Sequence, residues 1–526
     1  MPAVIVPPGA PTAPPATVPP TRPATVAVPS VIAPPGMAGP SSASAAPART
    51  GQARFARDST RYLCAAAQTD SSFSRKLLDG VIDEPYRAVA SSPGVDLVTV
   101  LKYALAARRR HFARDLAIVL AVLVSALLSA AAPPIILLSL PLAWAAVFIE
   151  QLAAHGVVAR RLRRAAFDPA AAPEPTGGAM RRRLTDIGQR DRGNASVFSD
   201  YAPFVGYGTV TDSWSFALNV ARAAPTASLT PFTTSEVYAA VARDLAALDL
   251  PGVGVEQRVF VSGVELLDAP DPRITQELLP VELAAPLPDA SDGLIRHLME
   301  HPEGRARCYL SVRVTGWSGE LVLTTFVRFA LYKSARTLYV EASHCLLTPV
   351  KPRYRAVDSM RESPTIGQIA RTASLSGLLT LPYIAKSFAV LAAAATDPLR
   401  RWQKRRNDRR NIAQERTHNY GPLVSPRELA SDRRYFAYFQ QQDKEMYSKV
   451  VERRVMESLR DFLDAHGIDT SELSERQTAI LNNGVIVTGN ASVNSGSIAA
   501  GAGAVARTVN TARRLVPGAP PAAATP

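Results

Sequence analysis

The most pronounced pattern along the chain is an interval without a single formal charge. From Leu116 to Ile149, 34 consecutive residues include no Asp, Glu, Lys or Arg. As one helix this run is about 51 Å long, against a bilayer hydrocarbon core of about 30 Å. One straight crossing is too long, and Pro133-Pro134 sits at the middle, where proline stops a helix and the chain can turn. Two spans of about 20 residues draw on the flanks, starting inside Arg108–Asp115 and running on past Glu150 toward Val158. The pattern predicts a transmembrane helical hairpin over 105–160. Arg108, Arg109, Arg110 and Arg114 precede it, Arg160, Arg161, Arg163 and Arg164 follow it, and the turn is uncharged. By the positive-inside rule both flanks are cytoplasmic and the turn faces out.

Elsewhere the period changes. In 52–104, Phe73, Leu77, Leu78 and Val81 recur at helical spacing, predicting a helical cytoplasmic region. Residues 161–193 read as a linker, rich in Pro and Ala over 167–178 and then basic at Arg181–Arg183. From 194 to 350 the apolar positions shift toward a period of two. Ser213–Val220 alternates, and Val255–Val264, Arg307–Val314, Leu321–Leu331 and Thr337–Leu346 read as further strands. Gly316-Trp-Ser-Gly319 is turn chemistry, which makes the last three an antiparallel β-meander. Thr233 and Glu236 have the spacing of a capping box opening one helix, and Ser291–Glu300 reads as a second.

Residues 351–416 contain an apolar stretch, 372–396, interrupted by Pro382 and Lys386. A crossing here places the following basic cluster outside, against the charge rule, so a helix lying on the membrane surface is expected. A buried helix and a third span remain the alternatives. Over 417–480 the chain reads as an amphipathic helical arm with a stripe at Val451, Val455, Leu459 and Phe462, ended by Gly467. In 481–506, Val487, Val493, Ala499 and Val505 recur every six residues, the spacing of β-helix rungs, with a hairpin or a linker as alternatives. Residues 1–51 and 507–526 are expected to be disordered tails, the first rich in proline. The fold class that follows is α+β: a two-helix transmembrane hairpin, a cytoplasmic α+β domain with an antiparallel β-meander, a long C-terminal amphipathic helix and a short Gly-rich β segment.

Composition narrows the function more than it defines it. The chain has 526 residues, a net charge of +14 and 43 prolines. Cys64, Cys308 and Cys345 form no CxxC pair, which excludes a disulfide-stapled fold and a cysteine-rich zinc module. Cys308 and Cys345 are expected on neighbouring strands as a reduced, buried pair. The run Arg400, Arg401, Lys404, Arg405, Arg406, Arg409 and Arg410 lies beside an apolar stretch, so anionic lipid headgroups are its expected partner. Nucleic acid is disfavoured, because Trp402 alone makes no base-stacking platform. The hairpin itself calls for the lipid bilayer as a partner. The amphipathic arm offers a surface for another protein or for a second copy of the chain.

His297-Leu-Met-Glu300-His301 matches an H-x-x-E-H pattern, in which His297 and His301 hold zinc and Glu300 acts as base. Pro302 disturbs the helical geometry at His301, and a third ligand is not evident, Glu341 and Glu362 being candidates by distance only. His344 and Cys345, adjacent on a strand, point to opposite faces. Gly206-Tyr-Gly208 reads as a turn. No Walker loop, no G-x-G-x-x-G after a strand and no G-x-S-x-G is present, so no cofactor is expected.

Arg61-Tyr-Leu-Cys-Ala-Ala-Ala-Gln68, the arginine-flanked hairpin and the Ser213–Val220 strand resemble uncharacterised multi-domain membrane proteins of high-GC bacteria, over most of residues 55–465. The resemblance implies neither an activity nor functional residues. The expectation is an integral inner-membrane protein, multi-pass with both termini cytoplasmic, serving as a non-enzymatic scaffold or sensor. The alternative is a membrane-tethered zinc hydrolase using the HxxEH motif.

Overall fold

The computed structural model describes residues 57–225 and 227–481. The two tails and the six-residue repeat of 481–506 lie outside the described residues, apart from Leu481, and all described residues belong to one unit, residues 47–526. The protein is α+β, built from a helical layer, a mixed six-stranded sheet and several long apolar helices.

The helical layer comes first. Helix α1 (Arg57–Thr69) and α2 (Ser71–Leu77) are separated by Asp70, whose carboxylate caps α2 by accepting from the Ser72 and Phe73 amides. Nearly every residue of α1 is buried, Arg61 included. The Arg61 guanidinium is fully paired: it donates to Asp58 at 3.0 Å, to Asp358 at 2.5 Å and to the Leu162 carbonyl at 3.1 Å. Helix α3 (Leu97–Leu128) packs its first three turns on α1, and Ser129 closes it. Pro133 and Pro134 open a short 3₁₀ turn, Pro133–Leu138, where their missing amides cost nothing. Helix α4 (Ser139–Arg161) then returns alongside α3. Residues 178–192, read from composition as linker, form α5 (Gly178–Arg192), whose Leu184 and Ile187 bury against α3.

The sheet has the order β1-β3-β4-β5-β6-β2. Strand β1 (Ala195–Phe198) pairs parallel with β3 (Gly254–Ser262); β4 (Arg307–Gly316), β5 (Leu321–Tyr332), β6 (Thr337–Leu347) and β2 (Thr209–Asn219) complete it with antiparallel pairings. Every residue of β5 from Leu321 to Ala330 is buried, because both faces of the sheet are covered. One face holds the main core with α6 (Thr234–Ala246), α7 (Pro272–Leu278), α8 (Asp292–Glu300) and α12 (Tyr438–Ala465). The other carries an aromatic cluster of Phe204, Tyr207, Phe260, Tyr309 and Phe326 with Cys345.

Cys308 and Cys345 do not sit on neighbouring strands. Strand β5 runs between β4 and β6, and the two thiols lie in different cores on opposite faces. All three cysteines are free and buried.

After the short α9 (Pro352–Arg355) comes α10 (Ile366–Arg410), 45 residues long. It continues through Pro382 and Pro398, each of which removes one backbone donor without ending the helix. A five-residue helix, α11 (Pro426–Ala430), precedes α12. On α12, Val451, Val455 and Leu459 are buried in this chain's own core; α13 (Ser471–Leu481) follows Gly467, which sits at φ +73°.

Candidate functional site

Among the described residues three helices, α3, the 3₁₀ turn with α4, and α10 with its C-terminal extension, are long and apolar enough to cross a membrane. What they expose is organised by height above the helical layer. Nearest the layer, Glu150 of α4 faces three basic side chains of α3, the His111 imidazole at 3.3 Å, Arg114 at 3.6 Å and Arg110 at 3.9 Å. Arg114 also pairs with Asp115 at 2.7 Å and lies over the Tyr383 ring at 4.3 Å. Ser387 of α10 donates to the same Asp115 at 3.0 Å. Arg114 and Asp115 of this ring are buried, while Arg110, His111 and Glu150 are half-buried; Arg110 Nε and Nη2 and Glu150 Oε1 make no hydrogen bond among the described residues and face one another only as charges.

Beyond the ring the surface turns apolar. A small cluster of Ile118, Ala143 and Val147 with Tyr383 and Ile384 joins the helices. Trp144 Nε1 donates to the Ala373 carbonyl at 2.9 Å, and Ser376 to Gln151 at 3.2 Å. Outward from there, Leu127 is 75 % exposed, Leu137 72 % and Leu138 55 %. The tip's hydroxyls turn inward: Ser129 donates to the Ala126 carbonyl and Ser139 to the Ile136 carbonyl.

The chain on either side of α10 returns to the helical layer. Before it, Asp358 pairs with Arg61 and Glu362 with Arg163, 3.5 Å apart. In and after its last turns, Arg401 pairs with Asp83 at 3.2 Å, Lys404 with Glu84, and Arg409 donates to Tyr86 at 2.9 Å. Arg410 pairs with Glu415 at 3.3 Å, and Arg416 with Asp268 at 2.6 Å. Of the basic run singled out from the sequence, Lys404, Arg401, Arg409 and Arg410 are thus engaged within the protein. Arg406 lies over Trp402 at 5.5 Å, and Arg400 and Arg405 are exposed.

The histidine motif lies elsewhere, in a shallow cleft between α7 and α8. His297 has both ring nitrogens occupied, Nε2 by Asp271 at 2.6 Å and Nδ1 by Arg273 at 3.0 Å. His301 is the C-cap of α8, its Nδ1 directed to the His297 carbonyl. Among the described residues no group of three His, Cys, Asp or Glu side chains is placed to hold a metal. His344 and Cys345 point to opposite faces: His344 binds Glu452 at 2.8 Å, while Cys345 lies among aromatics. The Gly206 and Gly208 amides, at 2.8 and 2.9 Å, both donate to one Glu428 oxygen, so that turn is already filled by a carboxylate of the chain.

From the sequence Arg110, Arg114 and Glu150 read as flanks of the uncharged run, not as a paired ring. Their spacing, with Arg110 and Arg114 four apart on one face and Glu150 opposite in a hairpin, was the available signal.

Fold and site together define an α+β protein that carries long apolar helices on a charged foot. A model of the AbeC-like domain matches residues 213–496, more than half of the chain, and the chain belongs to that family. The matched segment begins after the hairpin, inside β2 at Ser213, and takes in β3 to β6, α10 and α12. No curated protein and no solved structure matches the chain.

Proposed function

We propose that this protein is a membrane-anchored, non-enzymatic scaffold or sensor, which holds its α+β body against the cytoplasmic face of the inner membrane. The observation that carries the reading is the hairpin tip: Leu127, Leu137 and Leu138 stand exposed around a turn with no charge and with its hydroxyls turned inward. Such a surface is costly in water and at home in hydrocarbon.

The geometry favours entry from one side over two full crossings. Beyond the charged ring the arms measure about 20 Å in α3 (Leu116–Leu128) and about 16 Å in α4 (Ser139–Ile149), short of the ~30 Å hydrocarbon core. A spanning hairpin also needs a tip that tolerates water, and this one is apolar. The chain just before α10 is tied to the helical layer through Glu362, and the last turns of α10 are tied there through Arg401, which suits a helix resting in the same leaflet rather than a third crossing. The arginines on both flanks of the hairpin support a cytoplasmic foot.

The non-enzymatic part rests on how the reactive side chains are used. His344, His297 and the three cysteines are all taken up in structural bonds or cores. The test is flotation of the full chain with vesicles, followed by labelling of Ala131→Cys with a membrane-impermeant maleimide. The expected result is co-flotation and a tip protected from both sides until detergent is added. A chain that stays with the aqueous fraction overturns the anchor. Labelling from the side opposite the body overturns the one-sided insertion.

A further inference from the structure

At the foot of the hairpin, between α2, α3 and α10, lies a cavity of about 730 Å³. Arg75, Arg108 and Lys386 line it, and among the described residues none of the three is in an ion pair. Two of its carboxylates are already matched, Asp115 by Arg114 and Asp397 by Arg401 at 3.5 Å. Asp79 is the remaining one, so the uncommitted charge in the cavity is positive. The opposite wall is apolar, made by Ala389, Val390 and Ala393 of α10 and by Phe112 of α3.

Phe112 is also the first rung of a ladder. Phe112, Leu116 and Leu120, with Val124 and Leu127 beyond, follow at spacings of three or four residues. They share one face of α3 and are all exposed, 38 % at the least. The stripe runs about 22 Å from the cavity to the hairpin tip. A ligand fitting both features has a negatively charged head and a long apolar tail.

Resting on the membrane-anchor reading above, we infer that this cavity is a binding site for the phosphate headgroup of an anionic glycerophospholipid, whose acyl chain lies along the Phe112–Leu127 stripe. Arg75, Arg108 and Lys386 receive the phosphate. The site is distinct from the exposed Arg400, Arg405 and Arg406, which face solvent outside the cavity.

The experiment uses the full chain in neutral detergent, with thermal unfolding followed as phosphatidylglycerol, phosphatidylcholine or inorganic phosphate is titrated in. Phosphatidylglycerol is expected to stabilise the wild type at lower concentration than phosphatidylcholine. Each of Arg75→Gln, Arg108→Gln and Lys386→Gln is expected to weaken that effect about fivefold, the equivalent of about 1 kcal/mol per charge. Lys386 is exposed, so its variant keeps the test alive if an arginine variant fails to fold. Arg400→Gln with Arg405→Gln serves as the control and leaves the effect in place.

An unchanged phosphatidylglycerol effect in the three cavity variants, or its loss in the control instead, overturns the site. Equal stabilisation by inorganic phosphate alone overturns the lipid as the source. Failure of the wild type to float with any vesicle sinks the anchor itself, whereas flotation with no headgroup preference sinks only this inference.

Discussion

Ser387 Oγ donates to Asp115 Oδ1 at 3.0 Å, across 272 residues of sequence, and this bond fastens α10 to the hairpin at the level of its charged ring. Asp115 is 3 % exposed and also accepts from Arg114. Replacing it with alanine leaves a buried guanidinium partly unpaired. Asp115→Ala is expected to lower stability by about 3–5 kcal/mol. Ser387→Ala, which removes one neutral donor, is expected to cost about 1 kcal/mol. Denaturant unfolding of the detergent-solubilised chain ranks the two, and equal effects contradict the assignment.

A second buried pair joins the sheet to α12. His344 on β6 is 1 % exposed; its Nε2 lies 2.8 Å from Glu452 and its Nδ1 2.9 Å from the Thr325 hydroxyl. Glu452→Ala strands the imidazole in the core and is expected to destabilise by about 3 kcal/mol. In a double-mutant cycle with His344→Ala the two are expected to couple by about 0.5–3 kcal/mol. Additive losses rule out the interaction as a source of stability.

Asp191, near the end of α5, accepts from the Ser92 amide at 2.8 Å. Burial pushes its carboxyl up from 3.8 to about 7, with Asp96 adding to the shift while the Ser92 bond and Arg258 oppose it. The unfolded chain then releases this proton first as pH rises. Its contribution favours the fold below about pH 4, is lost between about pH 4 and 7, and stays lost above. Asp191→Asn keeps an acceptor for Ser92 and is expected to flatten that part of the profile, stabilising the protein by about 2–4 kcal/mol at pH 8. Unfolding midpoints of both proteins across that range decide it.

Burial raises all three thiols, Cys64 well above the ordinary range, Cys308 to about 12, and Cys345 upward as well. The thiolate is the reactive form, so the native chain is expected to resist an aromatic disulfide reagent at pH 8 and to titrate three thiols once unfolded. Rapid reaction of any one in the folded chain places it nearer the surface than the cores described above.

Local signals were legible in the sequence where they depend on neighbours along the chain. Thr233 and Glu236 form the reciprocal cap their spacing announces. The Ser213–Val220 alternation falls within β2 except for its last residue, and Val451, Val455 and Leu459 line the buried face of α12. Contacts that close over long intervals were not. Nothing near Cys308 or Cys345 reveals that β5 separates their strands, because strand order is a tertiary property. Pro382 lies inside a stretch expected to be helical, but nothing near it reveals that packing on both arms of the hairpin accompanies α10 through it. The charges of the 400–410 run were visible, but not that Lys404 and Arg401 belong to Glu84 and Asp83, more than 300 residues earlier.

The distance between Asp115 and Ser387 also sets a schedule for synthesis. At about 5–20 residues per second, the ribosome needs on the order of 14–54 s to deliver Ser387 after Asp115 has emerged. Through that interval the nascent hairpin carries its ionic collar without the helix that later seals it, while the whole sheet is being made. Under the proposed anchoring, insertion then has a waiting stage, in which a half-finished wedge lacks its last side until Ser387 arrives.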